Sequence, residues 1–206
     1  RVDVVIVRPV RSLWRLPHSQ ARAIYEAAAT LVLEGRKVLP EVMIPLVGIS
    51  EEYVRLAELV RRVGQQVMME RRCKVEAKVG TMIEIPRACL LAEDIGRIAE
   101  FFSFGTNDLT QLGFGFSRDD AGVYLPFYVE RGILPHDPFQ SLDAEGIGRL
   151  IRMAVVEGRK GNPALKVGVC GEHGGDPHSV EFFHGAGLDY VSCSPYRVPV
   201  ARLAAA

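Results

Sequence analysis

Two carboxylates in this 206-residue chain each follow a short apolar segment. Glu84 comes directly after residues 79–83, and Asp108 follows residues 101–104 after a short polar turn. A hard divalent cation such as Mg²⁺ takes one or two protein carboxylates and completes its shell with waters and substrate oxygens. Either acid alone would more simply cap a helix or a turn. As a pair behind two buried strands separated by one helix, Glu84 and Asp108 predict a metal site.

The residues just before Asp108 could bind an anionic ligand at that site. Gly105 lets the backbone come close to a ligand because it has no side chain. Thr106 offers a hydroxyl and a backbone N–H, and Asn107 offers an amide that can donate to a ligand oxygen. We therefore expect Gly105, Thr106 and Asn107 to bind an anionic ligand next to the two carboxylates.

Cys170 is the third candidate for chemistry, because it ends the apolar segment 166–170 and enters a glycine-rich stretch. The thiol could be a nucleophile with His173 as its base, a metal ligand, a proton donor or a small buried apolar group. Cys170, His173 and Cys193 give at most three zinc ligands without a CxxC pair, which argues against zinc. A thiol with a pKa of about 8.5 is protonated at neutral pH and can deliver its proton to carbon. Opposite a magnesium site, proton donation is the role we favour for Cys170.

The elements that would position these residues alternate between apolar strands and amphipathic helices. Six helices are predicted: 20–33, 50–72, one from Pro86, 142–159, 176–187 and one from 195. Gly35 is expected to end the first helix, and Ser50 and Asp176 are expected to be the N-caps of the second and the fifth. Strands are predicted over 42–47, 79–83, 101–104, 166–170 and 190–193. Five short apolar strands alternating with helices are typical of a parallel α/β domain.

Two further observations favour part of a barrel over a dinucleotide-binding sheet. No G-x-G-x-x-G turn follows an early strand. The polar residues instead recur at the ends of several strands, as they do around the mouth of a (β/α)8 barrel. We therefore predict a partial (β/α)8 TIM barrel with about five parallel strands. The segment 105–140 carries no predicted element, and its role as a lid, surface decoration or subunit contact is left open.

Composition excludes several classes of function. The formal net charge is zero, which gives no support to binding of nucleic acid or an acidic membrane surface. No apolar run approaches the roughly 20 residues of a membrane helix. The four cysteines are irregularly spaced, which indicates reduced thiols in a cytosol-like compartment. Residues 1–18 hold four arginines, two prolines and one acid without a sustained period, so we expect a disordered or misjoined lead-in to a domain spanning 19–206.

Four sequence motifs resemble one enzyme family closely. GTMIEIPRA, FFSFGTNDLTQ with GFGFSRDDAG, GVCGEHGGDP and GLDYVSCSPYRVPVARLAAA are similar to the C-terminal phosphoenolpyruvate/pyruvate-binding barrel of the pyruvate phosphate dikinase family. The resemblance runs from about Gln20 to the end of the chain. Phosphoenolpyruvate synthases and the sugar-transport enzyme I share the metal pair and the cysteine, whereas GFGFSRDDAG and EHGGDP are closer to the dikinase form.

The resemblance implies roles for the residues already singled out. Glu84 and Asp108 would bind Mg²⁺, residues 105–108 would contact substrate, and Cys170 would be the proton donor. The domain would interconvert phosphoenolpyruvate and the Mg-bound enolate of pyruvate. In the complete enzyme this step belongs to the reaction of ATP, pyruvate and phosphate to AMP, phosphoenolpyruvate and diphosphate.

The resemblance also implies partners that these 206 residues do not contain. The phosphohistidine and ATP-grasp domains are absent, and residues 1–18 lack the substrate-clamping arginine strands of the family, so we expect no complete turnover from this chain alone. The complete enzyme would be a homodimer in the cytoplasm, with a plastid or another organelle as the alternative compartment. A phosphoenolpyruvate synthase or enzyme I relative and a non-catalytic dimerisation fragment remain as alternatives.

Overall fold

The computed structural model describes residues 5–6 and 15–206. In this part of the chain one parallel sheet holds six strands in the order of the sequence. They are β1 (Val5–Ile6), β2 (Glu41–Ile44), β3 (Lys78–Ile83), β4 (Phe101–Gly105), β5 (Lys166–Cys170) and β6 (Tyr190–Val191).

Helices connect these strands. They are α1 (Arg15–Leu33), α2 (Ser50–Arg71), α3 (Pro86–Leu90), α4 (Ala92–Gly96), α5 (Thr106–Phe114), α6 (Arg118–Glu130), α7 (Ile147–Gly161), α8 (Pro177–Gly185) and α9 (Val198–Ala204). Two 3-10 helices, Glu172–Gly175 and Pro195–Arg197, precede α8 and α9.

The sequential strand order of this open sheet is that of part of a barrel. Parallel crossovers are right-handed, so strands added always on the same side place every connecting helix on one face. The main apolar core accordingly lies between the helices and alternate strand residues such as Val42, Phe102 and Val167. A separate small cluster consists of Met43, Met82 and Phe101, with Cys170 packed against it. Its members alternate along the strands with residues of the main core, so the cluster lies on the other face of the sheet. The predicted partial barrel of parallel strands is confirmed.

Large and small side chains alternate among the strand residues beside this smaller cluster. A β-carbon on Gly80 would lie 2.4 Å from the carbonyl oxygen of Phe101 and 2.5 Å from atoms of its ring. One on Gly168 would lie 2.2 Å from ring atoms of Tyr190. The absence of side chains at these glycines therefore makes room for the two rings, as the filling of a barrel interior requires.

The structure adds one strand to the five predicted ones. β1 pairs with β2 in parallel, Val5 opposite Val42, within a lead-in for which the sequence predicted no strand. α1 likewise begins at Arg15, before the predicted boundary at residue 19. Most of the predicted lead-in lies outside the described residues, and its disordered or misjoined character stays a prediction.

Helix ends follow the predictions in part. Asp176 caps α8 as expected, because its side chain accepts from the Ser179 N–H. Gly35 also ends α1 as expected, with a φ of 77°. Ser50 is not the N-cap of α2; Ile49 holds that position and Ser50 is the first helical residue. α7 begins later than predicted because Asp143 accepts from backbone N–H groups of the following residues and keeps the chain in a turn.

The segment 105–140 holds α5 and α6, so the expectation of a segment without elements is wrong. Its glycines and prolines suggested a loop, but Gly113 and Gly122 lie inside helices. Pro126 also lies inside α6. Gly115 and Gly132, each with a φ of 67°, act as breakers just after α5 and α6.

Candidate functional site

The carboxyl ends of β3, β4 and β5 bring three predicted site residues together. The register places Ile83 opposite Phe104 and Gly105 opposite Cys170. Glu84 follows β3 directly and reaches across to β4, where a β-carbon on Gly105 would lie 2.3 Å from its Oε2 atom. Glu84, Gly105 and Cys170 therefore lie side by side at one edge of the sheet.

Glu84 is almost fully enclosed. Only 3% of the residue is exposed, and its Oε1 atom accepts from the Leu46 N–H at 2.6 Å. A buried carboxylate needs donors or positive charge to offset its lost hydration. The Leu46 N–H is one such donor, and the side chain of Glu84 is too enclosed to be a solvated cap.

Gly105 has a packing role that the sequence did not reveal. The prediction was that its backbone approaches a ligand, which no contact in the structure tests. What the structure shows is that the missing side chain makes room for Glu84 and for Met82, whose Cε atom would lie 2.7 Å from a β-carbon. Gly105 thus allows the carboxylate to lie against β4.

Asn107 and Asp108 lie in the first turn of α5, directly after Gly105. Free backbone N–H groups give the first turn of a helix a partial positive charge, which favours anions. The Oδ1 atom of Asn107 is buried and has no hydrogen-bond partner in the described part of the chain. The Asn107 amide packs beside Gly171, where a β-carbon would lie 3.5 Å from Nδ2. A buried amide oxygen without a donor is available to a ligand or a cation.

Thr106 and His173 form a buried hydrogen-bonded pair behind the site. The Thr106 Oγ1 and His173 Nδ1 atoms are 2.8 Å apart, and His173 Nε2 lies 2.8 Å from the Pro138 carbonyl oxygen. Because a carbonyl oxygen only accepts, Nε2 carries the proton. Burial lowers the pKa of His173, so the ring is neutral and Nδ1 accepts from the Thr106 hydroxyl.

These contacts change two expectations. His173 was one candidate base for a nucleophilic Cys170, but both of its ring nitrogens are engaged by Thr106 and Pro138. The Thr106 hydroxyl, expected to face substrate, is fully buried and directed to His173. Any contact of Thr106 with a ligand is therefore left to its backbone N–H.

The thiol of Cys170 is held in its protonated form. Burial raises the pKa of Cys170, and the charges of Glu84 and Asp108 raise it further, while a hydrogen bond with Ser103 opposes the shift. The Sγ atom lies 3.6 Å from the Phe104 carbonyl oxygen, to which it donates. A half-buried thiol next to two carboxylates suits proton donation better than nucleophilic attack.

The donor set decides which metal these residues fit. Within residues 15–206, no group of three or more His, Cys, Asp and Glu side chains is placed to hold a metal ion. Glu84, Asp108 and the unpaired Oδ1 of Asn107 are oxygen donors. Oxygen ligands, few in number and completed by water or substrate, are the preference of Mg²⁺.

Two neighbours of the site were not identified from the sequence. Leu46 acts through its main chain, which carries no residue-specific signal. Ser103 is 1% exposed and contacts Cys170. Ser103 could have been identified from the sequence, because it is a single polar residue between Phe102 and Phe104. Side chains alternate along a strand, so Ser103 must lie on the face opposite to the two phenylalanines.

Comparison with known proteins identifies related sequences. Residues 7–206 match the family described as "PEP-utilising enzyme, PEP-binding domain". The chain is 60% identical to pyruvate, phosphate dikinase 1, chloroplastic, of Arabidopsis thaliana over 93% of its own length and 20% of the relative's. It is 58% identical to the chloroplastic enzyme of Flaveria trinervia over the same shares, and 56% identical to pyruvate, phosphate dikinase 2 of Zea mays over 93% of the chain and 22% of the relative.

These matches confirm the resemblance read from the four motifs. The chain spans about a fifth of the length of the curated relatives that it matches. In the described residues, none of the helices combines the length and apolar character needed to cross a membrane.

Proposed function

The chain belongs to the family of the PEP-binding domain of PEP-utilising enzymes, and we propose that its strand ends form the site at which a pyruvate phosphate dikinase interconverts phosphoenolpyruvate and pyruvate. The observation that carries this proposal is the convergence of Glu84, Gly105 and Cys170 from three adjacent strands, with Asp108 one helical turn away. One enclosed carboxylate, one thiol and a helix N-terminus at a single edge suit a small, anionic substrate.

The proton step belongs to Cys170. When the phosphoryl group is transferred from phosphoenolpyruvate to its acceptor, the P–O bond breaks and the enolate of pyruvate remains, and its methylene carbon must gain a proton. The S–H bond of Cys170 breaks and a C–H bond forms, leaving a thiolate that takes the proton back in the reverse direction. Burial and the two neighbouring carboxylates raise the pKa of Cys170, so the proton is present on sulfur at neutral pH.

Oxygen ligands on β3 and α5 would hold a divalent cation. Glu84 and Asp108 are the proposed ligands of Mg²⁺. Bound there, Mg²⁺ would supply positive charge next to the enolate oxygen. Leu46 fixes one oxygen of Glu84, and Gly105 leaves space for the other.

Substrate oxygens would be met by the first turn of α5. The backbone N–H groups of Thr106 and Asn107 are in the part of the helix where N–H groups lack helical partners. The side-chain amide of Asn107 adds donors to that set. Gly105 completes the substrate-binding segment that the sequence predicted.

The complete reaction needs parts outside this chain. In this proposal a phosphohistidine domain accepts the phosphoryl group from phosphoenolpyruvate, an ATP-grasp domain combines it with AMP and diphosphate to give ATP and phosphate, and the complete enzyme is a homodimer. Several of the relatives carry "chloroplastic" in their names, and we extend a plastid location to this chain as part of the proposal.

Oxalate, a planar dianion that resembles pyruvate enolate, tests the site on the 206-residue chain. We expect calorimetry to show oxalate binding that requires Mg²⁺, is lost in Glu84→Gln and Asp108→Asn, and persists in Cys170→Ala. Exchange of pyruvate methyl protons with D₂O, followed by NMR, should be lost in Cys170→Ala. Oxalate binding that does not depend on Mg²⁺ or on the two carboxylates would overturn the proposal.

A further inference from the structure

We infer that Leu46 is a positioning residue for the Glu84 carboxylate and that it acts through its main-chain N–H. The inference rests on the proposed function, because it assigns Leu46 a role toward that site. The Leu46 N–H donates to Glu84 Oε1 at 2.6 Å. A short N–H bond to a charged carboxylate is stronger than a neutral one and fixes the direction in which the carboxylate points.

The backbone of Leu46 adopts a conformation that its residue type disfavours. Its φ is 57°, in the left-handed region, where a β-carbon crowds the following carbonyl. Among the described residues only Leu46 and Arg72 combine a positive φ with a side chain. Arg72 ends α2, where a left-handed residue is common. Leu46 ends no helix, and uncommon backbone conformations of this kind concentrate at functional sites.

The surrounding loop is tied down on both sides of Leu46. Thr81 Oγ1 donates to the Ile44 carbonyl oxygen at 2.8 Å, and the pair is buried. Arg87 Nη1, from the first turn of α3, donates to the Gly48 carbonyl oxygen at 2.5 Å. Because both ends are fixed, the left-handed turn at Leu46 directs its N–H toward Glu84.

The side chain of Leu46 makes the idea testable by substitution. It is 46% exposed, so replacing it changes packing little. Isoleucine has nearly the same volume but is β-branched, and such residues are genuine outliers at positive φ. Asparagine loses the apolar side chain yet visits the left-handed region readily. Leu46→Ile therefore disturbs the turn, and Leu46→Asn is the matched control that retains it.

The first measurement is Mn²⁺ binding to the 206-residue chain, followed by electron paramagnetic resonance. Loss of an outer-shell partner typically weakens metal binding by about 10-fold to 100-fold, which is the effect expected for Leu46→Ile. Leu46→Asn should bind Mn²⁺ nearly as well as the unsubstituted chain. Equal affinities of the two variants would overturn the inference.

The amide proton of residue 46 gives a second measurement that needs no metal. Hydrogen bonding to a carboxylate moves an amide proton downfield and slows its exchange with D₂O. We expect both signatures in the unsubstituted chain and in Leu46→Asn, and their loss in Glu84→Ala. If Leu46→Ile does not fold, Glu84→Ala takes its place as the variant in which the hydrogen bond is broken. If the chain binds no Mn²⁺ but the amide is protected, the proposed metal site fails and the positioning role stands. A freely exchanging amide in the unsubstituted chain overturns the positioning role, whatever the Mn²⁺ result.

Discussion

Gly105 and Glu84 are in direct contact across two neighbouring strands. A β-carbon on Gly105 would lie 2.3 Å from Glu84 Oε2 and 2.7 Å from Glu84 Cβ, both far inside contact distance. The contact explains why a glycine stands at the end of β4. The carboxylate of Glu84 occupies the space that any other residue at position 105 would fill.

Gly105→Ala should therefore displace Glu84. Both neighbours of the new methyl group are nearly buried, so the strain cannot be relieved by moving a surface side chain. Overpacking of this kind typically costs about 1–3 kcal/mol of unfolding free energy. We expect this loss in urea denaturation, together with weaker Mn²⁺ binding.

Gly122→Ala is the matched control for that substitution. Gly122 lies inside α6, and a β-carbon there would meet no atom within 4 Å. Alanine is the better helix former, by up to about 1 kcal/mol. The control should be neutral or more stable, with unchanged Mn²⁺ affinity. A Gly105→Ala protein that matches Gly122→Ala in both measurements would contradict the packing argument.

His173 predicts a pH dependence of stability. Burial lowers the pKa of His173 in the folded chain, whereas the unfolded chain takes up a proton at about 6.5. The unfolded state therefore binds more protons below that pH. The neutral His173 therefore contributes its full stabilisation of the folded chain above about pH 6.5. As the pH falls toward the folded pKa, the free energy of unfolding decreases by at most about 1.4 kcal/mol per pH unit.

The comparison variant is His173→Gln, which has no group that titrates in this range. Urea denaturation of both proteins between about pH 7.5 and pH 5.5 separates His173 from other titrating groups. At neutral pH the variant should be less stable by about 1–3 kcal/mol, because a buried partner of the His173 ring is left unpaired. That difference should shrink on acidification. A difference that stays constant with pH would show that the pKa of His173 is not lowered in the folded chain.

The proximity of the candidate residues could be predicted because strand ends are visible in the sequence. The apolar runs before Glu84, after Glu100 and before Cys170 are strands in the structure, and parallel pairing brings their carboxyl ends to one edge. Periodicity and turn residues carry that information locally. The proximity of Glu84, Gly105 and Cys170 follows from it without further contacts.

Other features depend on contacts that no local pattern encodes. Leu46 contributes a backbone N–H, which every residue except proline has. The role of His173 depends on the Pro138 carbonyl, 35 residues away, being directed at its ring. α6 was missed because Gly122 and Pro126 suggest a loop, while its helical conformation is fixed by packing of Ala121 and Leu125 against Phe139.

Two buried threonines should respond oppositely to the same substitution. Thr110 in α5 is fully buried, and its hydroxyl has no hydrogen-bond partner within residues 15–206. Thr81 is equally buried but donates to the Ile44 carbonyl oxygen at 2.8 Å. Thr110→Val removes an unpaired polar atom and should stabilise the chain by about 1 kcal/mol, whereas Thr81→Val leaves a carbonyl without its donor and should cost about 1–3 kcal/mol. Urea denaturation measures both, and equal signs would contradict the assignment.

Alkylation of Cys170 tests the electrostatics of the site. Only the thiolate reacts with iodoacetamide, so the pH at which the Cys170 peptide becomes reactive reports its pKa. Burial, then the charges of Glu84 and Asp108, raise that pKa, so half-maximal reactivity should lie above the ordinary value of about 8.5. Glu84→Gln and Asp108→Asn each remove a negative charge and should move the midpoint down. Glu58→Gln, an exposed change on α2 whose charge does not act on Cys170, should leave it in place. If all three variants titrate alike, the two carboxylates do not act on the thiol, and the proposed proton donor loses its electrostatic basis.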